Sequence, residues 1–157
     1  MPSKSAGIVA FRTRLGRIEV LLVHPGGPFW RRKDLGAWSI PKGEYDAGKK
    51  PEDVARSEFR EEIGVEIQGG LRALGEIRQR GGKTVTAFAV ETDVDTQDIR
   101  SNSFEIEWPP RSGHRQTFPE VDRAEWFDLA SARQKINAAQ RTLLDRLEAM
   151  CVEAGKH

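Results

Sequence analysis

Between Pro51 and Gly64 the sequence reads PEDVARSEFREEIG. A proline suits the first turn of a helix and a glycine the position just past its end, so this stretch is bracketed as one helix. At about 100° per residue, Ala55, Phe59 and Ile63 share a face. Glu58, Glu61 and Glu62 fall within roughly one third of the circumference on the adjoining face, while Asp53 and Arg60 point away. The apolar face must be covered by a sheet or another helix. The acidic face carries the opposite demand. Carboxylates at i, i+3 and i+4 repel one another by a few tenths of a kcal/mol per pair in water, and by more in a partly dehydrated cleft.

The surrounding sequence supplies the sheet. Ala6 to Phe11 and Ile18 to His24 are apolar runs separated by a turn at Gly16, which predicts a hairpin. Pro25-Gly26-Gly27-Pro28 forces a loop. Trp38 to Pro41 is extended, because a residue before proline is pushed away from helix. Gly43 to Lys50 reads as a charged loop. Leu71 to Arg78, Lys83 to Glu91, Phe104 to Trp108 and Ala124 to Leu129 read as strands, with Gly81-Gly82 turning the first into the second. The end is helical: Asn137 is an N-cap with Gln140 three residues on. Leu143, Leu144, Leu147, Met150 and Cys151 form one apolar stripe, read as core. The predicted class is α/β, a mixed sheet with helices packed on it.

The chain has 157 residues, which predicts one domain, placed over residues 3–153. Its net charge of +1 excludes a dedicated DNA-binding protein, and its one cysteine excludes a disulfide framework or a multi-cysteine metal site. The apolar start is too short for a signal peptide and is broken by Arg12 and Arg14. No stretch is long enough for a membrane span. These readings predict a cytoplasmic protein with no membrane partner.

Something positive must offset the acidic face. Several carboxylates with a nearby carbonyl suit Mg²⁺ or Mn²⁺, and Mg²⁺ recruits substrate phosphate oxygens. The competing reading is a solvated acidic face, partly neutralised by Arg56 and Arg60. Phosphate-binding Walker loops, dinucleotide fingerprints and Ser-His-Asp arrangements are not evident.

The segment Gly43 to Val65 resembles the Nudix box, G-x5-E-x7-R-E-U-x-E-E-x-G-U with U aliphatic or aromatic. Gly43, Glu58, Phe59, Glu61, Glu62, Gly64 and Val65 stand at the matching positions. Trp38-Ser39-Ile40-Pro41-Lys42 resembles the approach to that box, and Phe118 to Phe127 the closing strand. The likeness extends from Ala6 to Ala132. Two positions depart: Lys49 stands for the glutamate and Ser57 for the arginine. Together they leave no unpaired charge, which suggests that the two changes are linked.

The resemblance implies a Nudix-type α/β/α sandwich, with the acidic helix and a C-terminal helix packed on a mixed sheet. It implies a hydrolase that splits a phosphoanhydride of a nucleoside diphosphate derivative by attack of water, with Mg²⁺ or Mn²⁺ as cofactor. Glu58, Glu61, Glu62 and the Gly43 carbonyl are then the metal ligands. Glu58 and Glu61 are also assigned to catalysis, with Glu120 on a later loop as the base and Glu107 as second choice. Lys42 and Lys83 are the expected phosphate contacts, ahead of the Arg31-Arg32-Lys33 run and the Arg111, His114, Arg115 loop. Phe29, Trp30 or Trp38 is available to stack on a base. His24 reads as structural.

The Pro-Lys-Gly approach resembles diadenosine polyphosphate hydrolases and RNA 5′-pyrophosphohydrolases. The later tyrosine of the former, the proline of ADP-ribose members and the extra motif of NADH-type members are missing. Nucleoside or dinucleoside polyphosphates are the first expectation, for a monomer or homodimer. A catalytically weak nucleotide-sensing module and a protein that binds RNA or processes its 5′ end stand as alternatives.

Overall fold

The computed structural model describes residues 3–97 and 99–155. Strands β1 (Lys4–Arg14) and β2 (Arg17–Pro25) form the expected antiparallel hairpin. Leu15 and Gly16 at its tip have φ of 52° and 75°, the two left-handed residues that a tight hairpin turn requires.

Strand β3 (Lys42–Tyr45) precedes helix α1 (Pro51–Ile63). Strands β4 (Arg72–Arg78) and β5 (Thr84–Glu91) flank a short 3₁₀ turn. Strands β6 (Ser103–Glu107) and β7 (Arg115–Pro119) pair as a separate hairpin. Strand β8 (Val121–Asp128) leads into helix α2 (Leu129–Lys135), and helix α3 (Arg141–Glu153) follows.

The main sheet runs β4-β5-β1-β2-β8, with β3 also on β1. β1 is the organising strand. One edge pairs in parallel with β5; the other is shared, Lys4 to Gly7 pairing with β3 and Phe11 to Arg14 with β2. Its side chains alternate as a doubly covered strand requires. Ala6, Ile8 and Ala10 pack with Ala55, Phe59 and Ile63 of α1. Val9 and Phe11 pack on the opposite face with Ala132 of α2 and Leu143, Leu144 and Leu147 of α3. This is the expected α/β/α sandwich. Phe59 is fully buried, which contributes on the order of 2 to 3 kcal/mol to the docking of α1.

Several boundaries differ from expectation. β1 is longer at both ends than Ala6 to Phe11. Gly43 to Tyr45, expected at the start of a loop, belongs to a strand that begins at Lys42, because Gly43 pairs opposite Ala6 of β1. β7 and α2 were not anticipated. β7 lies in a two-stranded ribbon where nothing imposes a buried face. α2 starts where the Asp128 carboxylate accepts the Ser131 N–H at 2.7 Å, ending the strand one residue before Leu129. Asn137 does cap, accepting the Gln140 N–H at 3.2 Å, but it caps a 3₁₀ turn before α3. No helix among the described residues is long and apolar enough to cross a membrane.

Candidate active site

Anchored by Phe59, α1 suspends its glutamates beside β3. The Glu58 carboxylate lies against Gly43 so closely that a Cβ there would sit 2.1 Å from Glu58 Cδ and 2.3 Å from both its oxygens. A glycine is therefore obligatory at this point of the strand. Glu62 is 7% exposed, and its Oε2 accepts the backbone N–H of Lys42 at 3.1 Å.

Burial pushes the Glu62 carboxyl up to about 8, aided by the charges of Glu58 and Glu120 and opposed by the Lys42 N–H and ammonium. Burial also raises Glu58, with Glu61 and then Glu120 adding to the effect and Lys42 opposing it. The expected ligands are thus neighbours held at an electrostatic cost. Among the described residues, no group of three or more His, Cys, Asp or Glu side chains converges closely enough to enclose an ion as they stand. Still, an all-oxygen donor set, a buried carboxylate and a glycine cradle fit a hard divalent cation. Closure around one requires the carboxylates to draw together.

Two clefts flank this seam. The larger, of ≈ 510 Å³, is bounded by Tyr45, Lys49, Lys50, Ser57, Glu58 and Glu61, with Glu44 and Asp53 also on its wall. The smaller, of ≈ 270 Å³, is bounded by Trp30, Lys42, Glu62, Gln79, Glu120 and Asn137. Lys42, the expected phosphate contact, lines the smaller cleft. Lys83 is exposed after the 3₁₀ turn and lines neither cleft. Glu120 is exposed at the start of β8, on the smaller cleft. Glu107 instead accepts the Arg111 N–H within its own hairpin at 3.0 Å, and Arg115 pairs with Glu105.

The aromatic candidates separate. Trp30 is 39% exposed at the smaller cleft. Phe29 packs edge-on against Trp108 at 5.3 Å. Trp38 is core, its indole N–H held by Asp34 at 2.8 Å, so it offers no face to a ligand. His24 is structural, as expected. Buried, it bridges Asp122 Oδ1 at 2.9 Å and the Lys33 carbonyl at 2.7 Å, tying the loop after β2 to β8.

Sequence reasoning missed Gln79 and read Gln140 only as part of a helix cap. Gln140 is fully buried; its Oε1 accepts the Ile40 N–H at 2.9 Å, and its amide donates to Ser39 Oγ at 3.0 Å. That clamp fixes the chain entering β3. The capping spacing of Gln140 with Asn137 is a signal of the turn, not of this clamp.

A sequence profile of the NUDIX domain matches residues 1–147. The chain belongs to the Nudix family. Solved structures carry the same fold. A Caenorhabditis elegans Ap4A hydrolase binary complex aligns with a TM-score of 0.68 and 21% identity, covering 95% of this chain and 98% of that one. The NUDIX domain of Shewanella oneidensis NrtR, complexed with ADP ribose, aligns with a TM-score of 0.67 and 17% identity, covering 96% and 88%. An octanoyltransferase of Myxococcus xanthus is 27% identical over 136 residues, 86% of this chain. The chain spans 33% of the length of that curated relative. Against this Nudix background, both departures from the box, Lys49 and Ser57, line the larger cleft.

Proposed function

We propose that this Nudix domain, taken as a single unit over residues 3–153, is a divalent-metal-dependent pyrophosphohydrolase. Its substrates are nucleoside diphosphate derivatives, nucleoside or dinucleoside polyphosphates first. The observation that carries this reading is the buried Glu62 on the Lys42 N–H, next to a Glu58 carboxylate seated on Gly43. A helix selected for stability alone would not crowd like charges around a dehydrated carboxylate.

Glu58, Glu61, Glu62 and the Gly43 carbonyl would hold Mg²⁺ or Mn²⁺. Such ions, when bound, neutralise phosphate oxygens and lower the pKa of water. The chain's own groups do the rest. Lys42 places an ammonium beside the carboxylates and meets the diphosphate. Glu120 accepts the proton of the attacking water at its carboxylate. Trp30 offers a ring face to the nucleobase, with the side-chain amides of Gln79 and Asn137 in the same cleft. Phosphoryl transfer asks mainly for alignment and charge stabilisation, and these residues supply both. The enzyme is taken to act in the cytoplasm, on small soluble nucleotides, as a monomer or homodimer.

Nucleoside diphosphate derivatives incubated with the protein and Mg²⁺ or Mn²⁺, read by released phosphate, test the proposal. Glu61→Gln and Glu62→Gln should each lower kcat by about a hundredfold or more. Wild-type turnover in both variants overturns the site. Tight nucleotide binding without turnover would make the domain a sensor instead.

A further inference from the structure

The two clefts on either side of the carboxylates differ in chemistry. The smaller one is lined by Trp30, whose ring carries the Lys33 ammonium at 5.2 Å from its centroid, and by two amides, groups that suit a nucleobase. The larger one presents two ammoniums, a phenol and a serine hydroxyl beside Glu58 and Glu61. Neither Lys49 nor Lys50 forms an ion pair among the described residues. Ser57 lines the same cleft with a side chain much shorter than the arginine of the box pattern. Glu44 and Asp53 line the same cleft, so the two ammoniums act on a ligand by direct contact rather than through the net charge of the cleft.

We propose that Lys49, with Lys50 beside it, is a specificity-determining phosphate contact. It selects substrates whose chain continues as further phosphate beyond the bond that is cut, over those that continue as a neutral sugar. This deepens the function proposed above and rests on it for the placement of the scissile bond. The nucleoside occupies the Trp30 cleft, the bridge to be cut lies over Glu58 and Glu62, and the remaining phosphates extend toward Lys49. The exchange of glutamate for lysine converts a position that repels a polyphosphate tail into one that attracts it. The exchange of arginine for serine provides the room.

Calorimetric titration of inorganic tripolyphosphate into the intact protein, with Mg²⁺ present, reads this contact without turnover. Lys49→Ala should weaken binding about tenfold, Lys49→Glu by more, and Lys49→Arg should restore most of it. In kinetics, Lys49→Ala should raise KM for a nucleoside tetraphosphate about tenfold with kcat little changed, and leave both constants for a nucleoside diphosphate sugar as they are. Wild-type protein that fails to bind tripolyphosphate overturns the inference. So does equal binding by Lys49→Ala, or an equal loss on both substrate types. Hydrolysis that is present but indifferent to Lys49 removes this inference alone. Lys49-dependent tripolyphosphate binding with no hydrolysis of any nucleotide removes the proposed function and leaves the contact standing.

Discussion

Glu62 is where folding and function make opposed demands. Its carboxyl is raised from an ordinary value of 4.5 to about 8, so between those values the native state holds a proton that the unfolded chain releases. The metal-free protein should therefore lose stability as pH rises from about 4.5 to about 8, by a few kcal/mol at most. Glu58 is shifted in the same direction and steepens the decline. Urea unfolding in the presence of a chelator, at about pH 5 and about pH 9, measures this loss, and Glu62→Gln should largely flatten it. An unchanged slope in that variant would mean that Glu62 is better solvated than its burial implies. Gly43→Ala makes a second prediction at this scale. Its Cβ would displace the Glu58 carboxylate, so hydrolysis should fall at least about tenfold while the unfolding midpoint moves by an amount worth about 1 to 3 kcal/mol. Combined with Glu58→Gln, it should add little further loss of rate.

At the level of elements, α1 is legible in the sequence because three independent signals agree there. Pro51 and Gly64 mark its ends, Ala55, Phe59 and Ile63 mark its buried face, and the glutamates mark the face turned to β3. β3 was not readable. Lys42 to Tyr45 has no apolar alternation, and its place in the sheet comes from pairing with β1 rather than from its own composition. α2 was hidden for a similar reason: of its seven residues only Ala132 is buried. The site divides the same way. The carboxylates and Lys42 lie close together in sequence or beside the box and were found from it. Gln79 carries no signal of its own, and Trp30, one of three stacking candidates in the sequence, meets it and Asn137 only once the sheet is formed. Gln140 joins these levels. Gln140→Ala leaves the buried Ile40 N–H unpaired and should cost about 1 to 3 kcal/mol, measurable by urea unfolding. It should also lower kcat, because the strand bearing Lys42 and Gly43 loses its clamp. Phe59→Ala, which only removes core, should cost about 3 to 5 kcal/mol.

For the molecule as a whole, the sheet and its two apolar layers carry stability, and the carboxylate seam draws on it. Binding of a divalent ion to the native state alone should raise Tm, by RT ln(1 + [L]/Kd) in free-energy terms, about 2.7 kcal/mol at a hundredfold excess over Kd. Thermal scans with and without Mn²⁺ should show this rise in the wild-type protein and lose most of it in Glu62→Gln. A rise that survives the substitution would place the ion elsewhere.

The forked edge of β1 has a consequence for how such a protein diversifies. One prong, β3, leads directly to the segment bearing Lys49. The other, β2, leads to the segment bearing Trp30, and neither segment contributes a strand to the main sheet. On the function proposed above, a change at Lys49 or at Trp30 alters what is bound while the carboxylates between them stay in place.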